Sequence, residues 1–219
     1  MSSDEQTWDA VDIYIGDHLG TTDDQLEATL SASAAAGLPE IAVSAAQGKQ
    51  LMLLAATVGA RRILEIGTLG GYSTLWLARA LPPDGELITC EYSAEYARVA
   101  GENLDRAGVS SLVSIRVGPA VETLPTLTGP FDFAFIDADK ENNATYVAHA
   151  IDLSRPGSLI VVDNTVRGGA VVDRSREDSA TTGTRALYEA LREEERVSAT
   201  AIQTVGSKGY DGFVLARVI

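Results

Sequence analysis

The spacing of apolar positions changes character along the chain. In the first part, apolar side chains return at three- and four-residue steps, so Trp8, Val11, Ile15 and Leu19 predict an amphipathic first helix. Thr22 followed by Gln25 reads as a capping box for a second helix that stops at Gly37, ahead of Leu38 and Pro39. An Ala- and Leu-rich third helix, Ala45 to Val58, leads through Gly59 into a different pattern. From there short unbroken apolar runs alternate with helical stretches. Arg62 to Ile66, Leu87 to Glu91, Val113 to Val117, Phe131 to Ile136 and Leu159 to Val162 predict strands. Helices begin near Tyr72, Ser93, Ala120 and Lys140, and another covers Thr184 to Glu195. Strands that lack polar alternation are buried on both faces of a parallel sheet, and right-handed crossovers put helices on both sides of it. The last two runs, Ala199 to Val205 and Gly212 to Val218, are separated only by GSKGYD. That gap is too short for a helix, so a hairpin is expected, with the final strand antiparallel to the rest. The expectation is one α/β domain over residues 1–219, with N-terminal helices to residue 58 and a mostly parallel, Rossmann-like seven-stranded sheet after them.

Composition narrows the partners. Lys and Arg number 17 against 31 Asp and Glu, a formal charge of -14, which argues against nucleic acid and against an anionic membrane surface. Cys90 is the single cysteine, so no internal disulfide forms. With no apolar run of membrane-spanning length and no secretory pattern at the start, a soluble cytoplasmic protein is expected.

The candidate chemistry lies at strand ends. In open α/β sheets ligands bind beyond the carboxyl ends of the strands. The fourth and fifth strands run into Asp137 and into Asp163 with Asn164. If those strands are neighbours, two carboxylates and an amide oxygen converge, an oxygen-only set suited to a hard cation such as Mg²⁺. The plainer reading makes each acid the cap of a following helix. The first strand ends in LEIGTLGGYS, a glycine-rich turn with Leu69 where a dinucleotide fingerprint would need glycine. The second strand ends at Glu91, placed to accept hydrogen bonds from ribose hydroxyls, and the third at Gly118, Pro119 and Ala120, small enough to admit an adenine. This is a nucleoside pocket without a preferred pyrophosphate loop. S-adenosylmethionine (SAM), an adenosine ligand without phosphates, fits that description.

LEIGTLGGYSTLWLARALPPDG, VGPAVETLP, FDFAFIDADK and RPGSLIVVDN together closely resemble the cation-dependent O-methyltransferases of the caffeoyl-CoA and catechol type, and in particular that family's small bacterial members. The likeness runs from about Ile41 to the C-terminus. It implies the class I SAM-dependent methyltransferase fold, SAM as methyl donor, a divalent cation (Mg²⁺, with Mn²⁺ or Ca²⁺ as alternatives), and a small aromatic vicinal diol as acceptor. A homodimer is also implied, with the first helix a candidate contact. Carried over residue by residue, the metal ligands fall on Asp137, Asp163 and Asn164. The donor contacts fall on Val43, Glu65, Gly67, Thr68, Ser73, Glu91, Ala120 and Asp137, and the base on Lys140, one helical turn after Asp137. Whether Lys140 accepts the proton or only stabilises a phenolate is open at this level. Two positions depart from the family pattern. Thr165, Val166 and Arg167 stand where an aromatic pair often walls the acceptor, and Asn143 stands where a tyrosine commonly follows. Two further readings are methylation of a hydroxylated tRNA base on the same fold and, from another class, a nicotinamide-dependent oxidoreductase.

Overall fold

The computed structural model describes residues 3–219. Three helices precede the sheet: α1 (Ser3–Leu19), α2 (Asp24–Ala35) and α3 (Ala45–Thr57). The cap of α2 is Asp23 rather than Thr22. Its carboxylate accepts from the backbone N–H of Gln25 at 3.0 Å and Leu26 at 3.1 Å, satisfying two donors that the first helical turn leaves free. The other end of α2 closes as expected, with Gly37 at φ 78 and Leu38 N bonded back to Ser33 O. The predicted apolar face of α1 is only partly used. Trp8 and Ile15 are half-buried, whereas Val11 and Leu19 are exposed and no residue of this helix is buried.

Strand and helix then alternate: β1 (Arg62–Ile66), α4 (Tyr72–Ala78), β2 (Glu86–Glu91), α5 (Ala94–Arg106), β3 (Val113–Val117), α6 (Ala120–Thr123), β4 (Phe131–Ile136), α7 (Asn143–Asp152), β5 (Ser154–Asp163) and α8 (Ser179–Glu193). The chain ends in β6 (Val197–Gly206) and β7 (Gly209–Val218). Several boundaries moved: β5 starts at Ser154, ahead of the expected Leu159, where Ser154 pairs with Phe131, and two other shifts have local reasons. Helix α8 starts at Ser179, ahead of the expected Thr184, because the Asp178 carboxylate caps the N–H of Thr181 at 2.9 Å. The hairpin loop shrinks to Ser207 and Lys208 because β6 and β7 stay paired as far as Gly206 and Gly209.

The seven strands lie in the order β3-β2-β1-β4-β5-β7-β6, with β7 antiparallel to both of its neighbours and the first five strands parallel. Chain order reverses between β1 and β4, which makes the carboxyl end of that pair the expected ligand crevice. Side chains alternate across the sheet. Ile63, Phe133, Phe135 and Val161 pack with α3 and α4 on one face, while Leu64, Ile66, Ile136 and Val162 pack with α7 and α8 on the other. A register shift between Phe131 and Phe133 breaks the alternation in β4, so that Phe131 joins the second face. The intervening Asp132 gathers the amino ends of three strands. It accepts from Arg61 N at 2.9 Å, Arg62 N at 3.0 Å and the Arg155 guanidinium at 2.6 Å. Among the described residues no helix is long and apolar enough to cross a membrane.

Phe133 is fully buried at the centre of β4. Phe133→Ala is expected to destabilise the fold by about 3–5 kcal/mol, read as a shift of the denaturation midpoint at unchanged m-value.

Candidate functional site

The end of β1 passes so close to the end of β4 that only glycine fits at the junction. Gly67 has φ 100, and a Cβ there would lie 2.1 Å from the Asp137 carbonyl oxygen. Asp137 N bonds Ile66 O at 2.8 Å, joining the two strand tips directly. The sequence suggested that this glycine brings backbone against a ligand; its first function is to bring backbone against backbone. The next turn is held from β2. Glu91 Oε2 accepts the N–H of Thr68 at 3.2 Å and of Leu69 at 2.8 Å, and Oε1 accepts that of Ser93 at 2.9 Å. Leu69 is thereby kept at φ 49, a left-handed conformation unusual for a branched side chain. An ionised carboxylate has about four acceptor directions, so Glu91 retains capacity for a hydroxyl of a bound ligand.

Below the turn, Glu65 is fully buried and receives three hydroxyls, from Ser73 at 2.7 Å, Thr74 at 2.5 Å and Thr89 at 2.7 Å. Burial pushes its carboxyl up to about 7, against the lowering effect of those hydrogen bonds. Glu65 ties α4 and β2 to β1 beneath the loop.

On the other side of the crevice, register sets the geometry. Ile136 pairs with Val162 in parallel strands, so the next residues, Asp137 and Asp163, stand side by side at the sheet's end. Asp163 is buried, and burial together with the charge of Asp137 holds its carboxyl well above the usual range; the N–H of Asn164 at 2.8 Å and Gln47 of α3 act in the opposite direction. Asn164 adopts φ 56, turning the chain sharply after β5. Lys140 Nζ donates to Asp137 Oδ1 at 2.6 Å from a side chain that is only 10% exposed. The expected helix at Lys140 begins as a 3₁₀ turn, Lys140–Asn142, before α7 proper. This turn is pressed against α8 at Gly183, where a Cβ would lie 2.3 Å from the Lys140 carbonyl. Asp139 accepts from the Tyr146 hydroxyl at 2.5 Å.

These groups surround one cavity of about 1090 Å³. Val43, Gly67, Thr68, Ser73, Glu91 and Ala120 line it from the segment before α3 and the ends of β1 to β3. Asp137, Lys140 and Asn164 line it from the ends of β4 and β5. Of the residues predicted for the site, Glu65 and Asp163 stand behind the wall. Asn143 is wholly buried, its amide without a hydrogen-bond partner, so it faces the interior and leaves the aromatic position of this turn to Tyr146, which does line the cavity. Cys90 also lines the cavity, but burial pushes its thiol up to about 12, which leaves it inert as a nucleophile. Tyr92, Gln47 and Gly183 were not singled out in the sequence. An aromatic residue directly after the β2 acid was a readable signal for Tyr92, whereas nothing local marks the other two.

A parallel sheet reversed between its first and fourth strands, closed by an antiparallel hairpin, with an adenosine-sized crevice beyond β1 to β3, defines the Rossmann-like class I methyltransferase fold. The model of the O-methyltransferase family matches residues 20–219. A catechol O-methyltransferase of Mycobacterium tuberculosis is 54% identical over 209 residues, covering 95% of this chain and 94% of that protein. The crystal structure of an O-methyltransferase from Bacillus cereus in complex with SAH superposes with a TM-score of 0.96 at 51% identity, covering 98% of this chain and 100% of the other. The O-methyltransferase TomG from Streptomyces achromogenes, involved in tomaymycin synthesis and solved with SAM, gives 0.95 at 50% identity, covering 100% and 99%. The chain belongs to the O-methyltransferase family, and its relatives include proteins named catechol O-methyltransferase and caffeoyl-CoA O-methyltransferase.

Glu65 binds its proton more tightly folded than unfolded, where its ordinary value is 4.5, so its contribution to stability falls as pH rises from about 4.5 to about 7. Glu65→Gln removes that dependence. The melting temperature of the ligand-free variant, measured relative to the unaltered protein, is expected to rise over this window, by the equivalent of on the order of 3 kcal/mol at most. A constant difference across the window would contradict it.

Proposed function

We propose that this protein transfers the methyl group of SAM to one hydroxyl of a catechol-like acceptor, with a divalent cation held by Asp137, Asp163 and Asn164. The observation that supports the reading is the register that sets Asp137 beside Asp163 at the ends of β4 and β5, with Lys140 bonded to Asp137, and with Asp137, Lys140 and Asn164 lining the cavity in front of the buried Asp163. The donor set suits a hard cation. It holds only oxygen, and the buried Asp163 lies against the charge of Asp137, a repulsion that added positive charge relieves. Mg²⁺ is the preferred ion.

In this reading Glu91 takes a ribose hydroxyl, Ala120 leaves room for the adenine, and Tyr92 offers an exposed ring at the cavity's edge. Val43, Gly67, Thr68 and Ser73 shape the remainder of the donor pocket, and Glu65 acts on it through Ser73. A phenol, with a pKa of about 10 like tyrosine, costs about 4 kcal/mol to ionise near pH 7. A cation held by Asp137, Asp163 and Asn164 would supply Lewis-acid stabilisation of the phenolate. Lys140 Nζ, acting as the neutral amine after giving up its own proton to solvent, takes the phenolic proton as the oxygen attacks the methyl carbon in line; the carbon–sulfur bond breaks, and the electron pair leaves on sulfur as a neutral thioether. Holding oxygen and methyl at near-attack distance contributes a further several kcal/mol. For the whole molecule we infer a homodimer using α1, whose Val11, Ile13, Tyr14 and Leu19 are exposed.

Asp163→Ala should abolish methyl transfer while leaving SAM binding, measured by calorimetric titration, within about threefold. Turnover near the unaltered rate would refute the ligand role. Lys140→Met should lower kcat by about 10²–10⁴ near pH 7 and recover with rising pH as the phenol ionises by itself. A flat ratio of rates across pH would assign Lys140 to positioning.

A further inference from the structure

We propose that the natural acceptor carries a carboxylate in addition to its diol, and that Arg167, assisted by Lys208, binds it. This rests on the methyltransferase reading and extends it to the class of substrate.

The backbone after β5 is unusual. Arg167, Gly168 and Gly169 are three successive left-handed residues, at φ 58, 61 and 89. Glycine adopts this conformation freely, and it occupies the second and third places; the first holds one of the largest side chains instead. The strained turn is fixed from β7, where Asp211 Oδ1 accepts the N–H of both Val166 and Arg167 at 2.9 Å. A structure that maintains strain to present a particular side chain suggests that the side chain acts.

That side chain lines the same cavity as Asn164 and Lys140. Its Nε is buried without a hydrogen-bond partner, and among the described residues no carboxylate lies within ion-pair distance of its guanidinium. A buried guanidinium nitrogen without an acceptor costs free energy that a bound anion would return. Lys208, in the β6–β7 turn, lines the cavity too, and its ammonium donates to the Glu40 backbone carbonyl at 3.3 Å rather than to a carboxylate.

The acids of the cavity do not serve as partners for these cations. Asp137 is bonded to Lys140, Asp139 to Tyr146, and Glu91 to three backbone N–H groups, while Glu40 and Glu141 are exposed to solvent. Arg167 and Lys208 line the same cavity, and among the described residues neither has a carboxylate partner. A planar guanidinium fork matches a planar carboxylate in two parallel hydrogen bonds.

The test compares 3,4-dihydroxybenzoate with its methyl ester, the same diol without the charge, using labelled SAM and Mg²⁺. The unaltered protein should show a KM for the acid at least about tenfold below that for the ester. Substitution of Arg167 leaves the difference in ring electronics unchanged, so the change in the KM ratio between variants carries the charge effect. Arg167→Met should bring the KM ratio close to one, Arg167→Lys should keep part of it, and the preference should weaken with added salt. Arg167→Gly should also erase the ratio without lowering the melting temperature, because glycine suits φ 58. Turnover of the ester with no preference for the acid, or a preference unchanged in both the Met and Gly variants, overturns the proposal and leaves the methyltransferase reading standing. Turnover of neither diol, with SAM bound, overturns both.

Discussion

The parallel register of β4 against β5 is the constraint on which the site depends. Pairing of Ile136 with Val162 makes Asp137 and Asp163 neighbours at the sheet's end, and the burial of Asp163 beside the charge of Asp137 disfavours its ionised form there. Two carboxylates in partial exclusion from water repel, and a single ammonium, Lys140, balances only one of them. The surroundings are arranged around this pair. Gly67 lets β1 approach the Asp137 backbone, Gly183 lets α8 press on the Lys140 turn, and Gln47 of α3 meets Asp163 from the other face of the sheet. A one-residue slip in β4 would turn Asp137 away from Asp163 and exchange the packing of every side chain in the strand.

The opposite half of the crevice is built with more conventional forces. Glu91 and Glu65 both support the glycine turn, one satisfied by backbone N–H groups and the other by hydroxyls. Together they fix a loop whose Leu69 and Gly67 have left-handed backbones. The pocket therefore has its shape before any ligand enters, which reduces the ordering cost of binding. At the far end of the same strands Asp132 draws the amino ends of β1, β4 and β5 together, so the sheet is held at both ends.

Much of this was legible in the sequence because parallel strands announce themselves as short apolar runs and end where polar residues begin. That rule alone put Asp137, Asp163, Asn164 and Glu91 at strand ends, where the structure has them, and the hairpin followed from the absence of any helix between its strands. What escaped was long-range. Asp23 and Thr22 are equally good caps on paper, and it is the Asp23 carboxylate that meets the first N–H groups of α2. Glu65 has the pattern of a ligand contact, yet the hydroxyls of Ser73, Thr74 and Thr89 close over it from helix and strand. Gly183 is one glycine in an otherwise ordinary helix, and its role exists only because the Lys140 turn lies across it. The apolar periodicity of α1 predicted its helix, but only Trp8 and Ile15 of its four apolar positions are half-buried, because periodicity does not say which of them a neighbouring element covers.

The most direct measurement of the central claim is methyl transfer from labelled SAM to a panel of small catechols, run with Mg²⁺ and again with a chelator. Turnover with the ion, loss of turnover on chelation and recovery when Mg²⁺ is restored are the expected results. Turnover that persists after complete chelation would contradict the assignment of Asp137, Asp163 and Asn164 as cation ligands, and the convergence of β4 and β5 would then need another cause.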